Sequence, residues 1–279
     1  MITVQFTNGF GNNLFQYNAA RLLAEFHKKP LYVIPPDPEY YGIEELRKVG
    51  IDFELFDESV MTGPAVVVDE QNYRSCFREE HGQLNFILHG YFEDYTLFNE
   101  QLDFIKSWYV KVEKRQTKDL VIHFRAGDRL LYKNEFYMKP TIQEYIDAIE
   151  NFDFDELHIV TDMPNWEHIT EEELGRMKFH VDIPEDKRPP AHLSVEYFNS
   201  FVDGLKKYNP HVEQRSVSDD FNFIRSFGNI LFQHGTLGWW AACLSEAEKV
   251  GVYGPWRPWK GEANKNLSQI PLNGWFRWE

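Results

Sequence analysis

Residues 7–17 read TNGFGNNLFQY, set between the apolar run ITVQF at 2–6 and the helix-patterned NNLFQYNAARLLAEFHKK. An apolar strand that ends in glycines and passes straight into a helix is the opening unit of an α/β protein. Gly9 and Gly11 remove side chains where a ligand or a neighbouring chain must come close to the backbone. A dinucleotide pyrophosphate is the first candidate, because G-x-G-x-x-G at a strand-to-helix turn cradles one. Leu14 stands at the third glycine position, so that fingerprint fails. The turn, with Asn12 beside it, remains a candidate substrate-binding element.

The same rhythm extends outward from this unit. LYVI, AVVV and LNFILHGYF follow as further β-rich runs. After the charged segment KVEKRQTKD the alternation restarts with LVIHFR, a buried strand by its apolar content. Thr141 and Glu144 have the spacing of a capping box and open a helix over TIQEYIDAIENF. ELHIVTD reads as the next strand, with a proline just beyond it at the start of another helix. SVEYFNSFVDGLKKY and DDFNFIRSF read as helices, NILFQHG as a strand, TLGWWAACLSEAE as a helix and KVGVYG as a strand. Strands separated by helices imply parallel crossovers. The expected division is a first domain over 1–115, a second over 116–255, and a Pro/Trp-rich tail over 256–279 that packs back on the first. No internal repeat or low-complexity segment stands out.

Composition narrows the function classes. With 279 residues, 43% of them hydrophobic, the chain can build two modest cores. Its 29 basic and 44 acidic residues give a net charge of −15, which disfavours a general nucleic-acid or anionic-membrane binder while allowing a local basic pocket. Two cysteines, Cys76 and Cys243, are too few for a disulfide framework and suit a reducing compartment. The start MITVQFTNG lacks the basic and long apolar regions of a secretory signal, and no apolar run reaches membrane-spanning length. A cytoplasmic protein is expected, with peripheral membrane association left open and the oligomeric state undetermined.

Two strand ends carry candidate chemistry. In LVIHFRAGDRL a buried strand places His123, Arg125 and Asp128 around the turn at Gly127. Ligands of open α/β sheets collect beyond the carboxyl ends of strands, where an arginine can neutralise phosphate charge. The plain structural alternative is an ion pair between Arg125 and Asp128. In NILFQHGTLGWWAACL, Gly235 and Thr236 lie between strand and helix, so backbone N–H groups and the helix dipole can face an anion. The plain alternative makes Thr236 an ordinary cap; Trp239 and Trp240 read as core. Asp162 ends a strand and is better placed for a ligand than Asp153 and Asp155, a D-x-D that precedes one and reads as a solvated connector. No metal site is expected, since His81, His89 and His234 are scattered, and no H-E-x-x-H, G-x-S-x-G or Walker motif is present.

Taken in order, these pieces resemble the α-1,2-fucosyltransferase family and its wider fucosyltransferase superfamily. TNGFGNNLFQYNAARLLA is similar to the family's G-G-L-G-N-Q-[ML]-F-Q-Y-A, HGYFEDYTLF to its G-Y-F-Q block, and IHFRAGDRL to its H-[IV]-R-R-G-D-Y. IVTDMPNW resembles its F-S-D-D block, the stretch from DDFNFIRSF to LSEAEKV resembles the one ending N-S-T-F-S-W-W-A-A-x-L, and GPWRPW and LNGWFRW fit its closing tryptophan segments. Ala126 replaces a second arginine of the family pattern, and Gly235 and Gly238 replace serines.

The resemblance implies a GT-B fold of two Rossmann-like domains facing a cleft, which the turn at Gly9 would line. It implies inverting, metal-independent transfer of L-fucose from GDP-fucose to a glycan hydroxyl, with no cofactor beyond the donor substrate. Arg125 would then stabilise the leaving β-phosphate, with Thr236 and the helix start at Gly235 as further anion donors. His123 would donate to the donor's phosphate or hold the loop, Asp128 would belong to the same substrate-binding set, Asp162 or Asp219 would contact the nucleoside, and Glu93 or Asp94 would be the general base. The alternatives are a transferase for another nucleotide sugar and a non-catalytic nucleotide- or sugar-binding protein.

Overall fold

Each apolar run outlined above becomes a short strand, and the strands assemble into two parallel sheets in a computed structural model that describes residues 1–7, 9–36, 43–78, 82–125, 140–162, 192–233, 235–253 and 275–278. The chain divides into two units, Met1–Lys111 and Val112–Glu279. In the first, β1 (Ile2–Gln5), β2 (Leu31–Ile34), β3 (Glu54–Leu55), β4 (Ala65–Val68) and β5 (Asn85–Leu88) lie in the order β3-β2-β1-β5-β4. In the second, β6 (Leu120–Phe124), β7 (Leu157–Thr161), β8 (His211–Glu213), β9 (Asn229–Phe232), β10 (Lys249–Tyr253) and β11 (Trp275–Trp278) lie in the order β11-β10-β9-β6-β7-β8. Every pairing is parallel. The α/β class expected from the sequence holds in both units.

Burial explains why these segments are strands. All five residues of β6 and of β7 are buried, as a parallel sheet covered on both faces requires. Leu120, Ile122, Phe124, Leu157 and Ile159 point to one face, where they meet the helices Ile142–Ile149 and His192–Gly204. Phe124 stacks on Phe201 with ring centroids 4.1 Å apart, and Tyr145 meets Phe201 edge-on at 4.6 Å. Fully burying each such ring stabilises the fold by about 1.5–3 kcal/mol. The helix Ile142–Ile149 opens on the expected capping box: the Glu144 N–H donates to Thr141 Oγ1 at 3.2 Å, and the Glu144 carboxylate accepts from the Thr141 N–H.

Of the tail, Trp275–Trp278 form β11, which pairs with β10 in the second sheet, Val250 opposite Trp275 and Tyr253 opposite Trp278. Trp278 packs on Tyr253 and Tyr145 at 4.6 and 4.7 Å, and that apolar burial accounts for the pairing. Residues 254–274, including the GPWRPW segment, lie outside the described residues. Also absent from the sequence reading are the helix Ile43–Lys48 and the short strands β3 and β8, which have two and three residues and so show no periodicity to read. No described helix is long and apolar enough to cross a membrane.

Candidate functional site

The second sheet reverses its strand order between β6 and β9: β7 and β8 lie to one side of β6, and β9 to β11 to the other. Beyond the carboxyl ends of two such strands the connecting helices diverge and leave a crevice. Arg125 follows β6 directly into it. Gly235 and Thr236 follow β9, with Thr236 the first residue of the helix Thr236–Cys243 and Gly235 its N-cap, a position with no side chain to satisfy the first turn. A Cβ built on Gly235 would lie 3.9 Å from Arg125 Cδ and 3.9 Å from His123 Cε1. The structure therefore brings Arg125, His123 and the start of this helix together, a guanidinium beside the positive end of a helix dipole.

On the other flank, the register Phe124 to Thr161 puts the next residues, Arg125 and Asp162, side by side. Arg125 Nε lies 3.8 Å from Asp162 Oδ2, an ion pair longer than a hydrogen bond, with both side chains partly exposed. The sequence suggested Asp128 as the arginine's structural partner. Asp128 lies outside the described residues, as do Ala126, Gly127 and His234. Asp219 is further along the same edge, in the first turn of the helix Val217–Arg225, where Ser216 Oγ donates to its carboxylate at 2.8 Å. That helix follows β8, two strands from β6, or about 10 Å at the usual strand spacing.

His123 faces the opposite side of β6 from Phe124 and is buried under the helix Thr236–Cys243. Burial, and after it the charge of Arg125, pushes its pKa down to about 3, so it is a neutral imidazole at physiological pH. It can hydrogen-bond a phosphate without adding positive charge. The sequence did not foretell its contact with Gly238: a Cβ there would sit 2.7 Å from His123 Nδ1 and 3.1 Å from Phe232 Cδ2. The glycine that replaces a serine of the resembled pattern is thus the space that the imidazole fills. Trp239 and Trp240 are fully buried and meet edge-on at 4.7 Å, so they are core as expected.

In the first unit, Gly9 is the N-cap of the helix Phe10–His27 with φ 117° and ψ 115°, backbone that a side chain would strain. Gly11 is buried in the first turn, and the Asn12 side chain folds back to within 3.5 Å of where a Cβ on Gly9 would be. Glu93 is half-buried just after β5. Asp94 is committed locally: it accepts from the Thr96 N–H at 3.1 Å and Thr96 Oγ1 at 2.6 Å, and pairs with Arg74 at 3.2 Å. Asp153 is exposed and holds Lys118 Nζ at 2.6 Å, as a solvated connector should.

No protein-family model matches the chain, and no curated protein matches it. Among solved structures it is similar to a mutant of Arabidopsis thaliana FUT1 in complex with GDP, at 9% identity and a TM-score of 0.45 over 91% of this chain and 70% of that one. It is also similar to the fucosyltransferase NodZ from Bradyrhizobium, at 12% identity and a TM-score of 0.43 over 92% and 96% of the two chains. NodZ α-1,6-fucosyltransferase co-crystallised with GDP gives 11% identity and a TM-score of 0.43, over 89% and 93%. Likeness at this level assigns neither a family nor an activity to the chain.

Proposed function

We propose that this chain is a glycosyltransferase that carries a sugar from a nucleoside diphosphate, GDP-fucose by the motifs it resembles, to a glycan hydroxyl. The observation that carries the reading is the meeting of Arg125 with the Gly235–Thr236 helix start at the strand-order reversal of the second sheet. A diphosphate needs this combination of a fork-shaped cation and oriented backbone donors.

In the reaction the bond between the anomeric carbon and the β-phosphate oxygen breaks, and its electron pair leaves on the phosphate. The acceptor oxygen bonds the opposite face of that carbon, and its proton passes to a base. The barrier is largely one of charge, since the carbon becomes oxocarbenium-like while negative charge grows on the diphosphate. Arg125 takes that charge with the helix dipole behind it. Asp162, held beside Arg125, orients the guanidinium, and neutral His123 supports the same loop. The base is proposed to be Glu93 or Asp94, the second of which also engages Thr96 and Arg74. Metal independence, inversion and the α-1,2 linkage belong to the same proposal.

A thermal-shift panel with GDP, UDP, dTDP and CMP tests the donor class. A ligand at a hundred times its Kd stabilises the native state by about 2.7 kcal/mol, so the right nucleotide stands out. GDP is expected to give the largest rise in Tm. A larger rise with UDP or dTDP would move the donor. A rise with GDP but no hydrolysis or transfer of GDP-fucose across varied acceptors would make the chain a binding protein.

A further inference from the structure

The amino edge of the second sheet, opposite the donor crevice, gathers its own cluster. Asp119 immediately precedes β6, Glu156 precedes β7, His158 is the second residue of β7 and His211 opens β8. Parallel pairing sets His158 directly against His211, their rings stacked 5.1 Å apart. We propose that Asp119, Glu156 and His158, with His211 as a fourth donor, bind one divalent transition-metal cation of the zinc class.

The case starts from His158, whose side chain is only 7% exposed. Its Nδ1 lies 3.2 Å from Glu213 Oε1, and a carboxylate, which only accepts, selects the tautomer with its N–H on Nδ1. Nε2 is then left with a lone pair. That atom is buried and has no hydrogen-bond partner, and it faces Glu156 Oε2 at 3.6 Å and Asp119 Oδ2 at 3.9 Å. A lone pair turned toward two carboxylate oxygens is repulsive unless a positive charge lies between them. Leaving such an atom unsatisfied in a buried place is destabilising.

A metal ion answers that arrangement. One ligand atom each from Asp119, Glu156 and His158 lies within 4.8 Å of the others. Bonds of about 2.0–2.2 Å to nitrogen and oxygen place tetrahedral donors roughly 3.3–3.6 Å apart, so the two spacings to His158 Nε2 close with shifts of a few tenths of an ångström. His211 Nε2, 3.9 Å from Glu156 Oε2 on a half-exposed ring, lies outside that 4.8 Å group and completes the set only if its ring turns toward the ion. Glu213 supplies the outer-sphere carboxylate that metal-binding histidines commonly have, and it is itself held by Arg215 Nη2 at 2.5 Å. The mixed imidazole and carboxylate donors favour zinc, cobalt or nickel over magnesium or calcium. Two neighbours oppose the site. Arg115 Nη1 is 3.6 Å from Asp119 Oδ2, its guanidinium lying over the Phe227 ring, and Thr117 Oγ1 donates to the same oxygen at 2.7 Å. Both draw on the oxygen nearest His158, so Asp119 is the weakest of the three ligands. The bound ion would tie together the starts of β6, β7 and β8.

The full chain, stripped with a chelator and exchanged into metal-free buffer, is titrated with Co²⁺ while visible absorption is followed, then with competing Zn²⁺. The expected result is one saturable equivalent with intense d–d bands that Zn²⁺ abolishes and equimolar Mg²⁺ does not. Glu156→Gln and His211→Gln change exposed side chains and each should weaken binding at least tenfold, while His158→Gln should remove it. No saturable one-to-one binding would overturn the proposal. Binding undiminished in Glu156→Gln and His211→Gln would overturn it equally, whether or not His158→Gln folds.

Discussion

The two sheets end in opposite ways at their carboxyl edges, though both reverse strand order beside their first strand. At the first, the backbone groups are answered from within. Gln16, fully buried, donates to the carbonyls of Gln5 and Gly90 at 3.1 and 2.8 Å and accepts from the Thr7 N–H at 3.0 Å. Glu70 accepts from the N–H groups of Tyr91 and Phe92 at 2.7 and 3.1 Å. This grip steadies Phe92, a buried aromatic at φ 54° that by itself costs on the order of 1–3 kcal/mol. At the second edge, a guanidinium stands beside a helix start whose cap has no side chain. One edge already holds a carboxylate on its amides; the other sets a guanidinium, with Asp162 3.8 Å away, beside the helix start. The shared topology supplies a crevice at each edge, and under the proposed function the residues at its lip determine which one takes an anion.

The largest effect should come from removing that positive charge. Arg125→Ala is expected to lower GDP-fucose turnover per folded molecule by about a hundredfold, roughly 3 kcal/mol of transition-state stabilisation. Arg125→Lys should recover little, because an ammonium cannot reproduce the planar fork. A variant that melts earlier but keeps its specific activity would reduce Arg125 to the structural partner of Asp162.

Gly238→Ser should cost about 1–3 kcal/mol in urea unfolding, because His123 Nδ1 and Phe232 leave no room for the new carbon. Unchanged stability would show that the imidazole can move aside. The same histidine sets a pH dependence. Its folded pKa of about 3 lies below the unfolded value near 6.5, so its contribution is complete above pH 6.5 and is lost as pH falls toward 3. Asp220 acts in the opposite sense over part of that range, because burial raises its pKa to about 6 despite Arg215 at 3.4 Å. The readout is therefore the difference in unfolding free energy between wild type and His123→Asn, which should narrow from pH 7.5 to pH 5. A difference that stays constant would mean that His123 does not titrate in this way.

Glu70→Ala sharpens the contrast from the other side and is the smallest of these changes. It should destabilise by about 1 kcal/mol, since the carboxylate is near the surface and water can replace it at the Tyr91 N–H. GDP affinity should be unchanged. A tighter GDP complex in this variant would show that the first edge also takes the anion.

Much of this architecture was legible because long buried runs such as LVIHF and ELHIVTD carry their burial in composition, and because Thr141 and Glu144 announce a helix start at fixed spacing. The strand-end logic likewise pointed to Arg125, Gly235 and Thr236. What the sequence hid was lateral. Arg125 meets Asp162, and His158 meets His211, only through strand register, which joins residues 37 and 53 positions apart in the chain. β8 is three residues long and has no pattern of its own, and without it neither the stacked histidines nor the Glu213 contact could be foreseen. The Gly238–His123 contact was hidden for the same reason, since a glycine in a helix names no partner until the sheet beneath it is known.

Which edge binds the nucleotide can be read directly by hydrogen–deuterium exchange of the full chain with and without GDP. Protection by GDP is expected in peptides spanning the end of β6, Phe124–Arg125, and the start of the helix Thr236–Cys243, with the peptides around Gly9–Asn12 and Tyr91–Asp94 unchanged. Protection confined to the Gly9 and Tyr91 peptides would place the anion on the first sheet and contradict the account.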